Sequence, residues 1–290
     1  MLAVVGPGRV GQALGRRLRE GGVSLLGFLG HNPQHAEQAV RFAGGGQVLG
    51  DASQLAGADT IMIAVQDDAL AATVVQLATQ LSGFSGLCFH VSGAHGLEPL
   101  EPLAAAGSRG SLHPLCPLPD VETGYHALLG QPAVLQADGD AAMARLSDLA
   151  QKAGLVPVPV TAGDRLLYHT ACVLAANGLT ALSGQLEELF STALGLGPKD
   201  ARRLPAALMR KTLETCAEHG AAAALSGPVP RGDAELISAQ LRGLENTDAE
   251  LADLYRLLMS KAVAMADDRG ALDADAVSRL RSALGRDRGG

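Results

Sequence analysis

Leu2-Ala3-Val4-Val5 runs directly into Gly6-Pro7-Gly8-Arg9-Val10-Gly11, and an amphipathic stretch continues from Arg9 to Glu20. The order is strand, tight turn, helix, with glycines spaced G-x-G-x-x-G, which is the context a dinucleotide site requires. The first glycine permits the turn, the second lets backbone approach a diphosphate, and the third lets the helix pack close to the strand. The diphosphate then meets unpaired N–H groups at the positive end of the helix. Gly6, Gly8, Arg9, Val10 and Gly11 are therefore the expected cofactor loop. In a chain with 36 glycines the spacing alone is weak evidence, and the flanks are what separate it from a plain glycine turn.

Outward from this loop, residues 24–29 read as a second buried strand and 33–42 as a helix with Pro33 in its first turn, completing a βαβ unit. Residues 60–65 form a continuous apolar strand that ends at Gln66-Asp67-Asp68, acids suited to the start of a helix over 69–81. Residues 87–91 read as the next strand, ending at Ser92-Gly93-Ala94. Ligands of open parallel sheets lie at the carboxyl ends of strands, so Val65, Gln66, Asp67, Ser92 and Gly93 are expected to line the cofactor crevice. Shorter strands are expected at 110–112, 133–136 and 156–160, the last with two prolines that favour a sheet edge.

From residue 162 the pattern turns helical. Residues 164–194 carry leucine, alanine and valine on nearly every face, which predicts a long central helix buried on several sides. Further helices are expected at 198–218 and 247–267, separated by the loop 226–233, and residues 269–290 hold one helix and a solvated tail. The expected fold is α/β: a Rossmann dinucleotide-binding domain over residues 1–161 and an all-helical substrate and dimerisation domain over 162–290.

At 290 residues and 47% hydrophobic content the chain has enough apolar mass for two cores. A net charge of −7 without a lysine or arginine cluster excludes a nucleic-acid surface. The four cysteines are far apart, with no C-x-x-C and no metal-type spacing, so reduced structural thiols and no metal site are expected. Apolar runs such as 171–176 fall short of the roughly 20 residues that span a bilayer. No basic leader precedes the first strand, so no membrane partner and a cytoplasmic address are expected.

With Gly6 to Gly11, Val65 to Asp68 and Ser92-Gly93-Ala94 stand Gly110-Ser111-Leu112-His113-Pro114-Leu115, Tyr168-His169 through Asn177, and Gly227-Pro228-Val229-Pro230-Arg231-Gly232-Asp233. On these segments, which extend over nearly the whole chain, it resembles the 6-phosphogluconate-dehydrogenase-like superfamily that includes ketopantoate reductase, β-hydroxyacid dehydrogenases and pyrroline-5-carboxylate reductase. Within it, the likeness is to Rossmann-like proteins with a C-terminal domain of unknown function 2520. The resemblance implies the two-domain fold, a homodimer formed through the helical domain and, by analogy only, an oxidoreductase. In the dehydrogenase relatives a lysine and an asparagine one turn apart on the long helix polarise the substrate carbonyl. Asn177 matches the asparagine, but Val173 stands where the lysine belongs. Valine neither donates a proton nor stabilises an alkoxide, so either another acid serves or the chemistry differs.

His169 lies eight residues before Asn177, about 80° around an ideal helix axis, and His113 ends a strand before Pro114. Both imidazoles titrate near neutrality and are candidate acids; the alternative for each is a hydrogen-bonded structural histidine. Asn177 either contacts ligand or bonds helix to helix. Arg231 is a candidate for a substrate carboxylate, with Asp233 orienting it or one of the histidines and Ser92 as a further substrate contact; equally, Arg231 and Asp233 secure the loop by pairing with helix ends.

NAD sites place a carboxylate after the second strand to bind the ribose 2′-hydroxyl. Here the sequence is Gly30-His31-Asn32, with no acid to repel a 2′-phosphate, and His31, Asn32 and Arg9 are expected to favour it. The expected cofactor is NADP, with NAD as the alternative. The expected function is an NADP-dependent oxidoreductase moving hydride to or from a small carboxylate-bearing C=O or C=N substrate at the seam between the domains. C=N reduction tolerates the missing lysine, because an iminium is already polarised. The alternative class is a non-catalytic dinucleotide-binding sensor or assembly protein, favoured by Val173.

Overall fold

The computed structural model describes residues 1–81, 83–105, 107–161 and 163–285, and it divides into two compact units, Met1–Asn177 and Gly178–Gly290. The first unit is built on β1 (Leu2–Val5), β2 (Leu25–Leu29), β3 (Gln47–Leu49), β4 (Thr60–Ile63), β5 (Leu87–His90), β6 (Ser108–Pro114), β7 (Pro132–Ala137) and β8 (Val156–Pro159). They form one sheet in the order β3-β2-β1-β4-β5-β6-β7-β8. All pairs are parallel except β6 with β7. After β1 the chain runs outward to β2 and β3, then returns to β1's other side as β4, which opens a crevice at the carboxyl ends of β1 and β4.

Strands β1, β4 and β5 are buried along their whole length, because side chains pack on both faces of the sheet. One face carries Val4, Phe28 and Met62 with Leu14 and Leu18 of α1 (Arg9–Glu20) and Leu146 of α5 (Asp140–Lys152). The other carries Ala3, Ile61 and Ile63 with Leu70, Val74 and Leu77 of α3 (Asp67–Ala78). The second connection is α2 (Pro33–Ala43), and α4 (Val121–Ala127) packs on α1. The edge position of β8 agrees with its prolines. β3, α4 and α5 are not apparent in the sequence reading; β3 is three residues long with two of them exposed, too short for an alternating pattern.

The long helix differs from expectation. α6 (Arg165–Val173) passes through a π-helical turn, Leu174–Gly178, into α7 (Leu179–Leu194), and none of these residues is buried. Leu166, Leu167 and Leu174 are 70%, 67% and 67% exposed, so the helix is apolar all round without being a buried core helix. With a mean hydropathy of 1.2 over its best window, Arg165–Leu194 is long and apolar enough to cross a membrane by length and composition, which corrects the expectation that no segment reaches that size. Among the described residues of the second unit, α7 packs on α8 (Pro198–His219), which leads into the single turn α9 (Ala221–Ala224).

α10 (Ala234–Glu245), α11 (Ala249–Asp268) and α12 (Ala274–Ala283) enclose a separate core of Ile237, Val263, Ala266, Val277 and Leu280, closed by Val229. Asp233, Asp248 and Asp273 begin these three helices, each accepting a bond from the backbone N–H three residues on, an arrangement worth about 1 kcal/mol per helix. α10 falls in a stretch for which the sequence reading gives no helix. The tail over 286–290 lies outside the described residues.

Candidate functional site

The glycine loop has the geometry its spacing implies. Gly6 has φ +98°, and a Cβ there would lie 2.5 Å from the Ala64 carbonyl oxygen. At Gly11 a Cβ would lie 2.2 Å from the Gly6 oxygen, so its absence lets α1 close on the turn. Gly8 differs: nothing lies within 4 Å of its Cβ position, and it precedes α1 without a side-chain cap on the helix. Open space in front of uncapped N–H groups fits a diphosphate. Val10 faces inward and packs on the core, while Arg9 is exposed and donates to the Pro119 carbonyl oxygen at 2.8 Å.

A cleft of about 430 Å³ adjoins the loop, lined among others by Gly6, Gly30, His31, Asp51, Val65 and Gln76. His31 thus stands on the wall where the ribose acid of an NAD site belongs. Asn32 is occupied in part, since its Oδ1 caps α2 by accepting from Gln34 N–H at 2.9 Å. The Asp51 carboxylate, which follows β3 rather than β2, is turned to Ser53, accepting from its N–H at 2.8 Å and its hydroxyl at 2.5 Å; these bonds hold its pKa below the usual range. Gln66 and Asp67 are exposed at the start of α3.

A polar cluster lies at the carboxyl ends of β5 and β6. Ser111 and His113 alternate on β6 and so share one face. Arg165, Tyr168 and His169 recur at helical spacing on α6, which lays one side of that helix on this strand. Arg165 Nη2 donates to Ser111 Oγ at 2.6 Å and its Nε to the His95 carbonyl oxygen at 2.9 Å. His113 Nδ1 and Tyr168 Oη are 2.6 Å apart, and the His113 and His169 rings lie 6.3 Å apart between centroids. Gly93 completes the group: a Cβ there would meet His113 Nε2 at 2.7 Å and His169 Cδ2 at 2.9 Å. His113, His169 and Gly93 are therefore brought together.

Burial, followed by the neighbouring His169 and Arg165, pushes His113 down to about 4, with Asp67 acting in the opposite direction. His113 is neutral at physiological pH, which corrects the expectation that it titrates near neutrality. Burial also raises Tyr168, so its phenol keeps its proton. The loop between β5 and this cluster is fixed by His90, fully buried and pushed down to about 4 by burial. Neutral His90 accepts from Ser92 N–H at 3.2 Å through Nδ1 and donates from Nε2 to the Gly96 carbonyl at 2.5 Å. Ser92 Oγ accepts from Ala94 N–H at 3.2 Å, so this hydroxyl has a structural duty in the turn.

Asn177, Arg231 and Asp233 each have their own local setting. Asn177 is exposed in the π-helical turn, where the wider winding invalidates an azimuth counted along an ideal α-helix from His169. Arg231 is exposed in its loop, and Asp233 caps α10 by accepting from Leu236 N–H at 3.1 Å, which is the structural alternative for that residue. Neither glycine spacing nor histidine chemistry points to Arg165 in the sequence. The Arg165, Tyr168, His169 spacing on one helix face is the pattern that would have found it.

A family model for a Rossmann-like domain matches residues 1–114, and the model of DUF2520, a domain of unknown function, matches residues 131–262. No curated protein matches the chain. Among solved structures it is similar to a protein from Thermotoga maritima, with 20% identity, TM-score 0.71, and 93% of this chain and 100% of that one covered. A proposed NADP oxidoreductase from Bacteroides fragilis has 18% identity and TM-score 0.69 over 90% and 97%. An imine reductase from a Pseudomonas species has 19% identity and TM-score 0.62 over 98% of each chain. At these identities the likeness is one of fold.

Proposed function

We propose, from the premise that this chain is a Rossmann-like protein with a C-terminal DUF2520 domain, that it is an NADP-dependent oxidoreductase acting on a small carboxylate-bearing C=O or C=N compound. The observation that carries the reading is a glycine loop open in front of Gly8 together with the His113, Tyr168 and His169 cluster at strand ends of the same sheet. The similar folds include a proposed NADP oxidoreductase and an imine reductase, which supports both the cofactor and the bond reduced. His31 in place of a ribose-binding acid supports NADP over NAD.

Bound nicotinamide supplies the hydride. The chain's own residues hold and protonate. Backbone N–H groups at the start of α1 receive the diphosphate, and Ser92 and Gly93 form the floor beside the reacting bond. Tyr168 donates its phenolic proton to His113 Nδ1, which leaves the ring proton on Nε2, the edge that lies against Gly93. From Nε2 a neutral imidazole donates to the oxygen or nitrogen that becomes more basic as its carbon is reduced. As the Nε2 proton leaves, Tyr168 passes its phenolic proton to Nδ1, so the ring stays neutral, and a proton from solvent then returns to the phenolate, whose burial favours the protonated form. Asn177 on the π-helical turn is a further contact for substrate. The exposed leucines of Arg165–Leu194 support a homodimer in which that helix is covered by a second copy.

Val173 at the lysine position supports a second reading, a dinucleotide-binding sensor without turnover. Titration with NADPH and NADH, followed by a screen of oxo and imino acids for NADPH oxidation, tests both. Selective NADPH binding with oxidation supports the enzyme, binding without any turnover supports the sensor, and no binding by folded protein removes both.

A further inference from the structure

Arg165 is half-withdrawn from water, and among the described residues its remaining guanidinium donors have no protein acceptor and stay open to solvent, where an anion can reach them. Guanidinium carries five N–H donors in a planar fork. Here Nε is spent on the His95 carbonyl and one Nη2 hydrogen on Ser111 Oγ. The Tyr168 ring centroid lies 5.3 Å from the guanidinium carbon, a cation–π contact that satisfies no donor. Glu98 acts on Arg165 through space, but its Oε1 is committed to Gly96 N–H at 3.0 Å, and among the described residues no carboxylate forms an ion pair with Arg165. The side chain is thus fixed at two points, lies over an aromatic ring, and keeps donors that no described residue takes up.

Its neighbours define what those donors are for. Ser111, which holds Arg165, and His113, which faces Gly93, are two residues apart on β6, a span of about 6.6 Å along a strand. A fixed cation and a neutral proton donor at that spacing match an acid whose carboxylate is joined directly, or through one carbon, to the carbon being reduced. Arg231, the arginine expected for this duty, is on an exposed loop of the other unit.

We propose that Arg165 receives the substrate carboxylate in a two-pronged contact, making the substrate class short 2- or 3-oxo acids and the corresponding imino acids. This rests on the oxidoreductase reading for its purpose but not for its detection. The test is the thermal shift produced by pyruvate, 2-oxobutyrate and acetoacetate against their neutral amides, measured on the protein both alone and saturated with NADP. Wild type, Arg165→Gln, Arg165→Lys and Arg231→Gln are compared, with NADPH affinity measured separately for each.

The expected result is stabilisation by at least one acid and by none of the amides. Arg165→Gln weakens the acid by about tenfold or more, the loss of one charge-assisted fork. Arg165→Lys, which keeps the charge without the fork and guards against a misfolded glutamine variant, lies between, and Arg231→Gln responds as wild type. NADPH affinity stays unchanged throughout. The proposal is overturned by acids and amides acting alike, by no acid acting on wild type, or by an undiminished response in both Arg165 variants. Loss of NADPH binding in wild type sinks the oxidoreductase reading instead and leaves the acid response to judge Arg165.

Discussion

His113 Nδ1 and Tyr168 Oη meet at 2.6 Å across the junction of β6 and α6, so the tautomer of the imidazole and the direction of the phenol hydrogen are set together. A phenol that donates to Nδ1 leaves the ring proton on Nε2, the edge that faces Gly93, and this is the tautomer the proposed proton path uses. Arg165, three residues earlier on α6, lies over the Tyr168 ring at 5.3 Å and steadies the phenol.

Tyr168→Phe removes the hydroxyl and keeps the ring. NADPH oxidation with the best acid found is expected to slow by roughly 10- to 100-fold, while NADPH affinity stays within about twofold. Steady-state rates read beside a direct cofactor titration check this. Unchanged turnover would remove Tyr168 from the proton path, and lost cofactor affinity would show that the residue holds the fold of the crevice instead.

Acid sensitivity follows from two buried histidines. His90 and His113 are both pushed down to about 4 from an ordinary value of 6.5, mainly by burial. Between these values the unfolded chain binds protons that the folded chain refuses, so stability rises with pH through this window. It is present in full above about 6.5 and is lost as pH falls toward 4. Melting temperature is therefore expected to drop on acidification from pH 6.5, and His90→Gln, which retains a donor and an acceptor, is expected to flatten that slope. An identical slope in the variant would assign the loss to other groups.

The parts of this architecture legible in the sequence are those where local chemistry leaves little choice. Gly6 and Gly11 sit where backbone approaches backbone, and the boundaries of α1 follow from them. β8 falls at the sheet edge because prolines cannot donate to a ladder on both sides. The Arg165–Leu194 helix misled for a physical reason. An apolar surface on all sides has the same composition whether the chain's own core covers it or something outside the chain does, so periodicity cannot distinguish the two. Arg165 and Tyr168 were obscure because their meaning depends on Ser111 and His113, more than fifty residues earlier in the chain.

The two early glycines of the loop are expected to fail differently. Gly6→Ala forces an unfavourable φ and a backbone clash, so it should destabilise the fold by several kcal/mol, on the order of 2–4. Gly8→Ala meets no protein atom within 4 Å and should leave the melting temperature nearly unchanged while weakening NADPH by about tenfold or more. Thermal denaturation and cofactor titration of the two variants separate the effects. Full affinity in Gly8→Ala would mean that the diphosphate does not lie over this loop.

Cofactor choice is predicted to turn on His31, which lines the cleft after β2. His31→Asp restores an acceptor for a ribose 2′-hydroxyl and sets a negative charge against a 2′-phosphate. NADPH affinity is expected to fall by about tenfold and NADH affinity to rise, inverting the preference. Equal losses for both cofactors would place the 2′-position away from His31.

The exposed leucines give the last prediction. Leu166 and Leu174 are 70% and 67% exposed on a helix with no buried residue, an apolar surface that a protein in water covers with a partner. A second copy is the occupant proposed, so sedimentation is expected to give twice the 29.6 kDa chain mass. The double variant Leu166→Glu, Leu174→Glu sets charges into that interface and is expected to sediment as a single chain, because unpaired buried carboxylates oppose association by several kcal/mol, roughly 3–5 for the pair. Flotation with lipid vesicles distinguishes the competing use of the same surface: wild type that floats, and a double variant that does not, would assign the helix to a membrane and overturn the dimer.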